Sequence, residues 1–326
     1  MVCSRWTASP LIGPPAAARE VGTEQLVLGV SWPDRVPHLD LTSVQGFGRT
    51  RVPVLGRLGF RVTADGRYCT GWYGFDDDGG RRWPCPDRHR TSGSRQCADC
   101  ALRDQFRFVH QGHLGGYVPA ALESYLAAPH WLYLATFADG FTKVGTASAS
   151  RKQTRLDEQG PVCASYLAYA ANGRLVREAE DEVSRRLEVP QHRRRAAKAA
   201  AYVRPAMRSR VEARHQETVA QAAELITGTV WADGLEPSRD LWTPPPAAAA
   251  LLDAPPSGSR HAYPHALSDG EHGLQVGAAA GPAVLVRTER GADALRYVAD
   301  LGQLAGCRIV LGDYTSAEAE LQEPLF

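Results

Sequence analysis

Four cysteines that fall within 32 residues are the first candidates for chemistry in this chain. They are Cys69, Cys85, Cys97 and Cys100. Cys97 and Cys100 are separated by two residues, a spacing that lets one tight turn supply two thiolate ligands to a tetrahedral metal ion. Cys69 and Cys85 stand farther apart and complete a set of four. We therefore predict one structural zinc ion, held in a segment too rich in Gly, Arg and Asp to build its own core.

Two other interpretations of the cysteine segment are compatible with the residues alone. His89, His110 or His113 is near enough in the sequence to replace one cysteine as a ligand. The paired cysteines could instead be redox-active, although the βαβ pattern around such motifs is missing. A site of four thiolates has no open coordination position, so in the main interpretation the metal stabilises the fold and does not catalyse.

A second group of reactive side chains begins on a predicted β-hairpin. Tyr133 and Lys143 belong to two apolar runs that flank the turn signal Asp139-Gly140. If residues 138–140 form the loop, Tyr133 and Lys143 lie on the same face of the sheet, whereas a two-residue turn would place them on opposite faces. An active site that uses both side chains requires the three-residue loop.

Two predicted helices follow the hairpin and carry an arginine and an acid. The first covers residues 150–159 and includes Arg155. The second covers residues 173–188, with Asn172 as its N-cap and apolar residues at helical spacing. Glu180 lies on or beside this apolar stripe, where a carboxylate costs free energy unless it has a partner. Glu180 is therefore the acid we select.

This order of residues resembles the GIY-YIG nuclease superfamily over about residues 130–188. The features that match are Tyr133, the triplet that begins at Lys143 and ends at Gly145, and Arg155, followed by an acid on the next helix. The same residues, downstream of cysteine motifs, more closely resemble the uncharacterised bacterial family called domain of unknown function 2797. That second likeness covers most of the chain and brings no established activity.

The superfamily resemblance implies metal-assisted phosphodiester hydrolysis on a small antiparallel sheet with flanking helices. It implies that Glu180 holds one Mg²⁺ or Mn²⁺ ion, because carboxylate oxygens suit such cations. It also implies that Tyr133 lies near the attacking water and that Arg155 neutralises charge on the phosphate. Lys143 occupies the position of the second motif's tyrosine and is carried over as a phosphate-binding group.

The sequence departs from the superfamily pattern at two places. Trp131-Leu132 stand where the first motif has Gly-Ile, and Lys143 replaces the second tyrosine. Two alternatives to a nuclease follow from these departures. The same fold could serve as a non-catalytic module that binds RNA, DNA or a protein, or its pocket could be reused for an enzyme reaction on a small molecule.

A basic stretch follows the Glu180 helix and suggests a nucleic-acid partner. Residues 174–215 hold twelve Arg and Lys against six acids. Such a stretch suits contacts to a phosphate backbone without base readout, so DNA or RNA is the expected partner. The alternative is a solvated helical face. The candidate contact residues are Arg193, Arg194, Arg195, Lys198, Arg204 and Arg208.

Composition narrows the class of protein but not its reaction. The chain has 326 residues, with 37 Lys and Arg against 36 Asp and Glu, so net charge cannot attract a polyanion and local clustering must do so. No stretch has the roughly 18 to 20 apolar residues of a membrane span, and the N-terminus lacks a signal-peptide pattern. We therefore expect a cytoplasmic protein without a membrane partner.

The predicted fold class is α+β, with a helix also expected at residues 291–304 inside the last segment. That segment is expected to pack back on the N-terminal strands. The predicted division of the chain is a disordered N-terminus (1–25), a region of short strands (26–67), a cysteine-rich zinc module (68–120), a GIY-YIG-like αβ domain with a basic helical extension (128–228), a Pro and Ala rich linker (240–260) and a small C-terminal αβ region (261–326).

Overall fold

The computed structural model of the chain describes residues 22–46, 48–76, 79–108, 118–231, 234–253, 260–288 and 295–318. Its strands are β1 (Gln25–Ser31), β2 (His38–Ser43), β3 (Arg49–Pro53), β4 (Gly56–Val62), β5 (Arg67–Tyr68), β6 (Trp72–Asp76), β7 (Gly79–Trp83), β8 (Arg90–Thr91), β9 (His130–Thr136), β10 (Thr142–Ser148), β11 (Cys163–Ala170), β12 (Leu235–Pro237), β13 (Arg260–Ala262), β14 (Glu271–Ala280), β15 (Ala283–Thr288), β16 (Arg296–Asp300) and β17 (Arg308–Leu311). Its helices are α1 (Ala98–Arg103), α2 (Ala120–Ala127), α3 (Lys152–Gln159), α4 (Gly173–Leu187), α5 (Arg195–Val203), α6 (Arg208–Gly228) and α7 (Ala249–Leu252).

The predicted α+β class is confirmed by this mixture of sheets and helices. None of the helices in the described ranges combines the length and apolar composition that a membrane span requires. The predicted N-terminal tail lies outside the described residues except for residues 22–25, and Gln25 already begins β1.

Strands from both ends of the chain form one nine-stranded sheet. Its order is β13-β16-β15-β14-β4-β17-β1-β2-β3, and every neighbouring pair is antiparallel except β13 with β16. β17 lies between β4 and β1, so the C-terminal region shares its backbone hydrogen bonds with the N-terminal strands. Val27, Phe60 and Ile309, which come from these three neighbouring strands, are fully buried in one apolar core.

The predicted helix over residues 291–304 is wrong where the structure describes it. Residues 296–300 form strand β16 and a 3₁₀ turn follows at Leu301–Leu304. Tyr297, Val298 and Ala299 are all buried, because β16 is covered on both faces. A strand buried on both faces has no alternation to reveal it, so the apolar run could not be told from a helix by its pattern.

A smaller antiparallel sheet of four strands has the order β10-β9-β11-β12. The hairpin between β9 and β10 closes with Phe137 N–H donating to the carbonyl of Phe141 at 2.9 Å, which leaves the predicted three-residue loop. Tyr133 pairs with Gly145 across the two strands. Tyr133 and Lys143 therefore share a face, as the three-residue loop predicts.

Helix α4 covers one face of this small sheet, and its limits agree with the prediction. The side-chain oxygen of Asn172 accepts a hydrogen bond from Arg174 N at 3.0 Å, which confirms the N-cap. Val176 and Val183 are fully buried against Leu132 and neighbouring residues of β9. On the opposite face, a second cluster joins Tyr133, α3 and β11.

The segment around the cysteines is held to the rest by a two-stranded hairpin and α2. β6 pairs with β7, and β5 pairs with β8. Phe75 of β6 packs against Leu122 and Leu126 of α2, both fully buried. Within the predicted linker, α7 places Leu251 and Leu252 in an apolar cluster shared with β14 and β15.

Candidate functional site

The four cysteines converge on one point from three separate elements. Cys69 follows β5, Cys85 follows β7, and Cys97 and Cys100 lie at the start of α1. All four Sγ atoms lie within 4.8 Å of one another. Three of the side chains are buried and Cys97 is half-buried. The sequence therefore identified a set of thiols that the fold brings together.

The sulfur geometry fits a metal ion and not a disulfide. The Sγ atoms of Cys85 and Cys97 are 3.9 Å apart. The edge of a tetrahedron with metal–sulfur bonds of about 2.3 Å is roughly 3.8 Å, whereas a disulfide needs about 2.05 Å. The backbone N–H groups of Gly71 and Cys97 donate to Cys69 Sγ at 3.4 and 3.2 Å, which favours a thiolate there. Four such thiols could hold a metal ion and are compatible with zinc.

The protonation of these thiols reflects burial and the start of α1. Burial opposes ionisation of Cys97, but hydrogen bonds from the backbone N–H of Cys100 and from His89 outweigh it and lower the pKa of Cys97 to about 6. Burial raises the pKa of Cys69 and Cys100. A dication among the sulfurs would offset that cost and deprotonate the remaining thiols.

His89 contacts the cysteine cluster from outside. Its hydrogen bond with Cys97 raises the pKa of the imidazole, and the side chain is exposed. In the described residues, the group that can hold a metal consists of the four cysteines, without His89. His110 and His113, the other candidates for a histidine ligand, lie outside the described residues.

Tyr133 and Lys143 are the two strand residues of a second candidate site, on the small sheet. Tyr133 is fully buried, and Lys143 Nζ lies 5.7 Å from the centroid of its ring. Lys143 Nζ also donates to the carbonyl of Gln191 at 3.1 Å, which fixes the ammonium group. The Tyr133 hydroxyl has no hydrogen-bond partner of good geometry within the described residues. A buried hydroxyl without a well-aligned partner points to a water or an ion at this position.

Arg155 extends from α3 to the same place. Burial works against its charge, but Tyr133, Glu158 and Tyr125 outweigh burial and raise the pKa of the guanidinium. Arg155 is thus a permanent cation, and a hydrogen bond with Tyr133 contributes to the shift. The predicted pair of Tyr133 and Arg155 is brought together by β9 and α3.

Glu180 faces this group from α4. Its side chain is buried, and its Oε2 lies 3.9 Å from Arg177 Nη1, one turn earlier on the helix. Burial raises the pKa of Glu180, and the neighbouring charges of Arg177, Lys143 and Arg155 partly offset that shift. The charges of Lys143 and Arg155 thus act on Glu180, whereas Tyr133 lies beside Lys143 on the sheet face opposite α4.

Lys198 adds another cation to the same place. Burial, followed by the charges of Lys143 and Arg155 and of the arginines near Lys198, lowers the pKa of its ammonium group to about 7. Its Nζ donates to Gln159 Oε1 and lies 5.0 Å from the ring centroid of Phe137. We call the cluster of Tyr133, Lys143, Arg155, Arg177, Glu180 and Lys198 the cationic pocket. Positive charge exceeds negative charge in it, so it attracts anions.

The other predicted nucleic-acid contacts do not form one surface. Arg193 has a side chain only 5% exposed, pairs with Asp139 at 2.5 Å and lies over the ring of Phe141. Arg208 pairs with Glu212 at 2.6 Å. These two arginines serve the fold. The side chains of Arg194, Arg195 and Arg204 are exposed at or just beyond the ends of α5.

Two residues at or beside the site, Arg177 and Asp157, were not predicted from the sequence. Arg177 is not among the predicted site residues, yet it is 4% exposed and lies 3.9 Å from Glu180. Its position three residues before Glu180 was the available signal. Asp157, on α3 beside the site, accepts hydrogen bonds from Arg35 at 2.9 and 3.0 Å. The two residues are 122 positions apart, so no local pattern could pair them.

Part of the chain matches a known protein family. Residues 90–233 match the model of a family described as protein of unknown function (DUF2797). The matched range includes Cys97, Cys100 and the cationic pocket, and this supports the resemblance to that uncharacterised family. No curated protein and no solved structure matches the chain. The comparisons do not return the GIY-YIG superfamily, so that resemblance stays a prediction.

Proposed function

We propose that this chain is a zinc-stabilised nucleic-acid-binding protein whose cationic pocket hydrolyses phosphodiester bonds with Mg²⁺ or Mn²⁺, as in GIY-YIG enzymes. The observation that carries the proposal is that Lys143 lies 5.7 Å from the ring centroid of Tyr133 and that the charges of Lys143 and Arg155 act on Glu180. The order of strands and helices along residues 130–188 also agrees with the resemblance. Excess positive charge in the pocket suits a phosphate backbone.

Each residue of the cationic pocket can make a different contact with a phosphate group. Arg155 presents a planar guanidinium that can bond two phosphate oxygens, and Lys143 adds a fixed charge beside it. The Tyr133 hydroxyl interacts with Arg155, and in this proposal it donates to a phosphate oxygen or orients a water. These groups would therefore hold and polarise the phosphate before any bond changes.

A divalent cation would neutralise further charge on the phosphate, and Glu180 is the pocket residue that would hold it. One carboxylate is a small donor set. It fits Mg²⁺ because such sites commonly use one or two carboxylates and complete the shell with water and phosphate oxygens. The neighbouring Arg177, 3.9 Å from Glu180, competes for the same oxygens.

Non-catalytic nucleic-acid binding is the second candidate function. The Arg177–Glu180 contact favours it, because a paired carboxylate is less available to a metal. Lys143 also favours it, since a lysine in place of the second tyrosine binds phosphate without a phenol for proton transfer. Both candidates use the same pocket and the same partner class.

Cleavage assays separate the two candidates. Single-stranded, duplex and branched DNA and RNA are incubated with the full chain and Mg²⁺ or Mn²⁺. Glu180→Gln and Arg155→Lys are compared with Glu178→Gln, an exposed acid on the same helix. Cutting that the first two changes abolish and the third retains supports hydrolysis. Salt-sensitive binding without cutting on any substrate supports the second candidate, and absence of both overturns the proposal.

Zinc is tested separately by measuring the metal content of the purified chain. We expect one zinc per chain, lost in Cys85→Ser and retained in Cys163→Ser, whose thiol lies outside the cluster. Removal of zinc by a chelator should unfold the cysteine segment, because the binding free energy of a structural metal is folding free energy. Equal zinc content in wild type and Cys85→Ser would contradict the site.

A further inference from the structure

An open cavity of about 490 Å³ is lined by residues that belong to no site described so far. The hairpin β6–β7, the segment after α1, and α2 provide one wall, with Tyr73, Phe75, Phe106 and Tyr125. The end of β10 and the turn before α3 provide the other wall. We call it the aromatic pocket. Its volume is within the range of typical small-ligand pockets.

The four rings of the aromatic pocket support one another. Tyr73 meets Phe75 and Phe106 edge to face, with centroids 5.9 and 5.7 Å apart, and Phe75 lies 4.8 Å from Tyr125. The Tyr73 hydroxyl donates to the carbonyl of Gly80 at 3.0 Å, which fixes its ring. Protein interiors rarely leave space of this size beside aromatic rings. A rigid, partly open aromatic wall is suited to stack a flat ligand.

The opposite wall carries hydroxyl groups and directly precedes the helix of Arg155 in the chain. Ser148 Oγ and Ser150 Oγ are 3.3 Å apart, and each can donate or accept a hydrogen bond. Arg151 follows and carries the last side chain of this wall. Its neighbour Lys152 begins α3, and Arg155 lies on the first turn of that helix. The residues of the polar wall therefore directly precede, in the sequence, the helix that carries Arg155 of the cationic pocket.

Tyr125 connects the two pockets from the aromatic side. Its ring packs edge to face on His130, the first residue of β9, with centroids 5.1 Å apart. Burial has the largest effect on the pKa of Arg155 and of Arg177, and it lowers both. Tyr125 is among the neighbouring groups that act in the opposite direction on each of them. A ligand with a flat apolar part and an anionic part could thus occupy both pockets at once.

We propose that the aromatic pocket receives the base of an unpaired nucleotide whose phosphate lies on Arg155 and Lys143, so that the substrate class is single-stranded nucleic acid. This inference rests on the proposed function of the cationic pocket. Bases of a closed duplex are stacked inside the helix and cannot reach such a pocket, whereas single strands offer their rings to aromatic walls. The serine hydroxyls can serve any base edge, which predicts little sequence preference.

Binding of fluorescent oligonucleotides to the full, zinc-loaded chain tests the inference. The probes are a single-stranded DNA, the blunt duplex of the same sequence, and a single strand with abasic positions and the same charge. Tyr125→Leu and Phe106→Leu remove stacking and keep apolar bulk. Tyr169→Leu is the matched control, because Tyr169 packs on Trp131 outside the pocket. Zinc content and melting temperature verify that each variant is folded.

We expect wild type and Tyr169→Leu to bind the single strand more tightly than the duplex. Tyr125→Leu and Phe106→Leu should bind the single strand about 5-fold to 150-fold more weakly, the range for one stacked base. The abasic strand should bind wild type weakly, and the two variants should not weaken its binding further. This last result would show that the rings act on the base and not on the backbone.

Two outcomes would overturn the inference alone, and a third would overturn the proposed function with it. Unchanged single-strand binding in both pocket variants would overturn the base site, and equal affinity for duplex and single strand would overturn the substrate class. If Lys143→Met still weakens binding in either case, the cationic pocket keeps its proposed role. If the wild type binds none of the three probes, the proposed function and the inference fail together.

Discussion

The ring of Tyr133 lies directly over Gly145 on the neighbouring strand. A Cβ atom added at Gly145 would come within 2.6 Å of both Cζ and Oη of Tyr133. The two residues face each other in the register of β9 and β10, and Tyr133 is fully buried, so its ring has little room to move. The glycine is therefore explained by the position of the tyrosine ring, which presents its hydroxyl to the cationic pocket.

Gly145→Ala is expected to destabilise the chain by about 1 to 3 kcal/mol, the usual cost of overpacking a core. It should also displace the Tyr133 hydroxyl and weaken oligonucleotide binding or cleavage beyond the loss of folded protein. Urea unfolding and binding assays measure the two effects. Gly277→Ala is the control, because its added Cβ would approach no atom closer than 3.9 Å. If Gly145→Ala changed neither the free energy of unfolding nor the binding of oligonucleotides, the tyrosine ring would have to move freely.

Asp157 on α3 anchors the helix that carries Arg155. It is almost fully buried and accepts hydrogen bonds from Arg35 at 2.9 Å and from Trp242 Nε1 at 2.9 Å. Asp157→Asn should lower the free energy of unfolding by about 1.5 to 3 kcal/mol, because it weakens charge-assisted hydrogen bonds from Arg35, whose side chain stays 29% exposed. Urea denaturation measures this change.

The control for Asp157 is Asp240→Asn, which removes the ion pair with Lys152 at 2.7 Å on a carboxylate 56% exposed. An exposed pair contributes about 1 kcal/mol or less. If the two substitutions cost the same, Asp157 does not anchor α3. If Asp157→Asn weakened oligonucleotide binding although the variant was fully folded, Asp157 would be shown to position Arg155.

His215 makes stability depend on pH. It bridges Thr136 Oγ1 at 2.8 Å and Ser165 Oγ at 2.9 Å, and burial lowers its pKa to about 4. The unfolded chain takes up a proton below its ordinary pKa of about 6.5, whereas the folded chain does so only near 4. The free energy of unfolding therefore falls as pH drops from about 6.5 to 4, by about 3 kcal/mol from this group.

His215→Gln should be less stable than wild type at pH 8, where it lacks the bridge, and should lose less stability on acidification. Urea midpoints between pH 8 and pH 4 test this, with His192→Gln as the exposed control. Parallel curves for wild type and His215→Gln would exclude the buried histidine as a source of acid sensitivity.

Lys198 predicts a pH dependence of anion binding. Its pKa of about 7 means that the ammonium group is charged below that pH and neutral above it. Binding of an oligonucleotide should therefore weaken between pH 7 and pH 9, by at most about tenfold per pH unit. Lys198→Arg should remove the decline, because a guanidinium stays charged, and Lys152→Arg should not. Fluorescence titrations at fixed ionic strength decide between these profiles.

Local signals in the sequence identified the elements that carry the site. The turn signal at Asp139-Gly140 predicted the hairpin but did not decide between a two-residue and a three-residue loop, on which the register that places Tyr133 beside Gly145 depends. Asn172 predicted the start of α4, which sets the position of Glu180. The spacing of Cys97 and Cys100 predicted half of the metal-binding group. Each of these signals depends on residues that are close together in the sequence, so it can be recognised from the sequence alone.

Only the tertiary structure decided how these elements meet. β17 joins β4 to β1 across more than 240 residues, Arg35 reaches Asp157, and β16 forms where a helix was predicted. The tertiary structure also buries Arg193 in a contact with Asp139 and brings Ser148 and Ser150 to the wall of the aromatic pocket. Such contacts depend on which faces are buried together, and a sequence pattern records that a residue is apolar or charged without recording its distant partner.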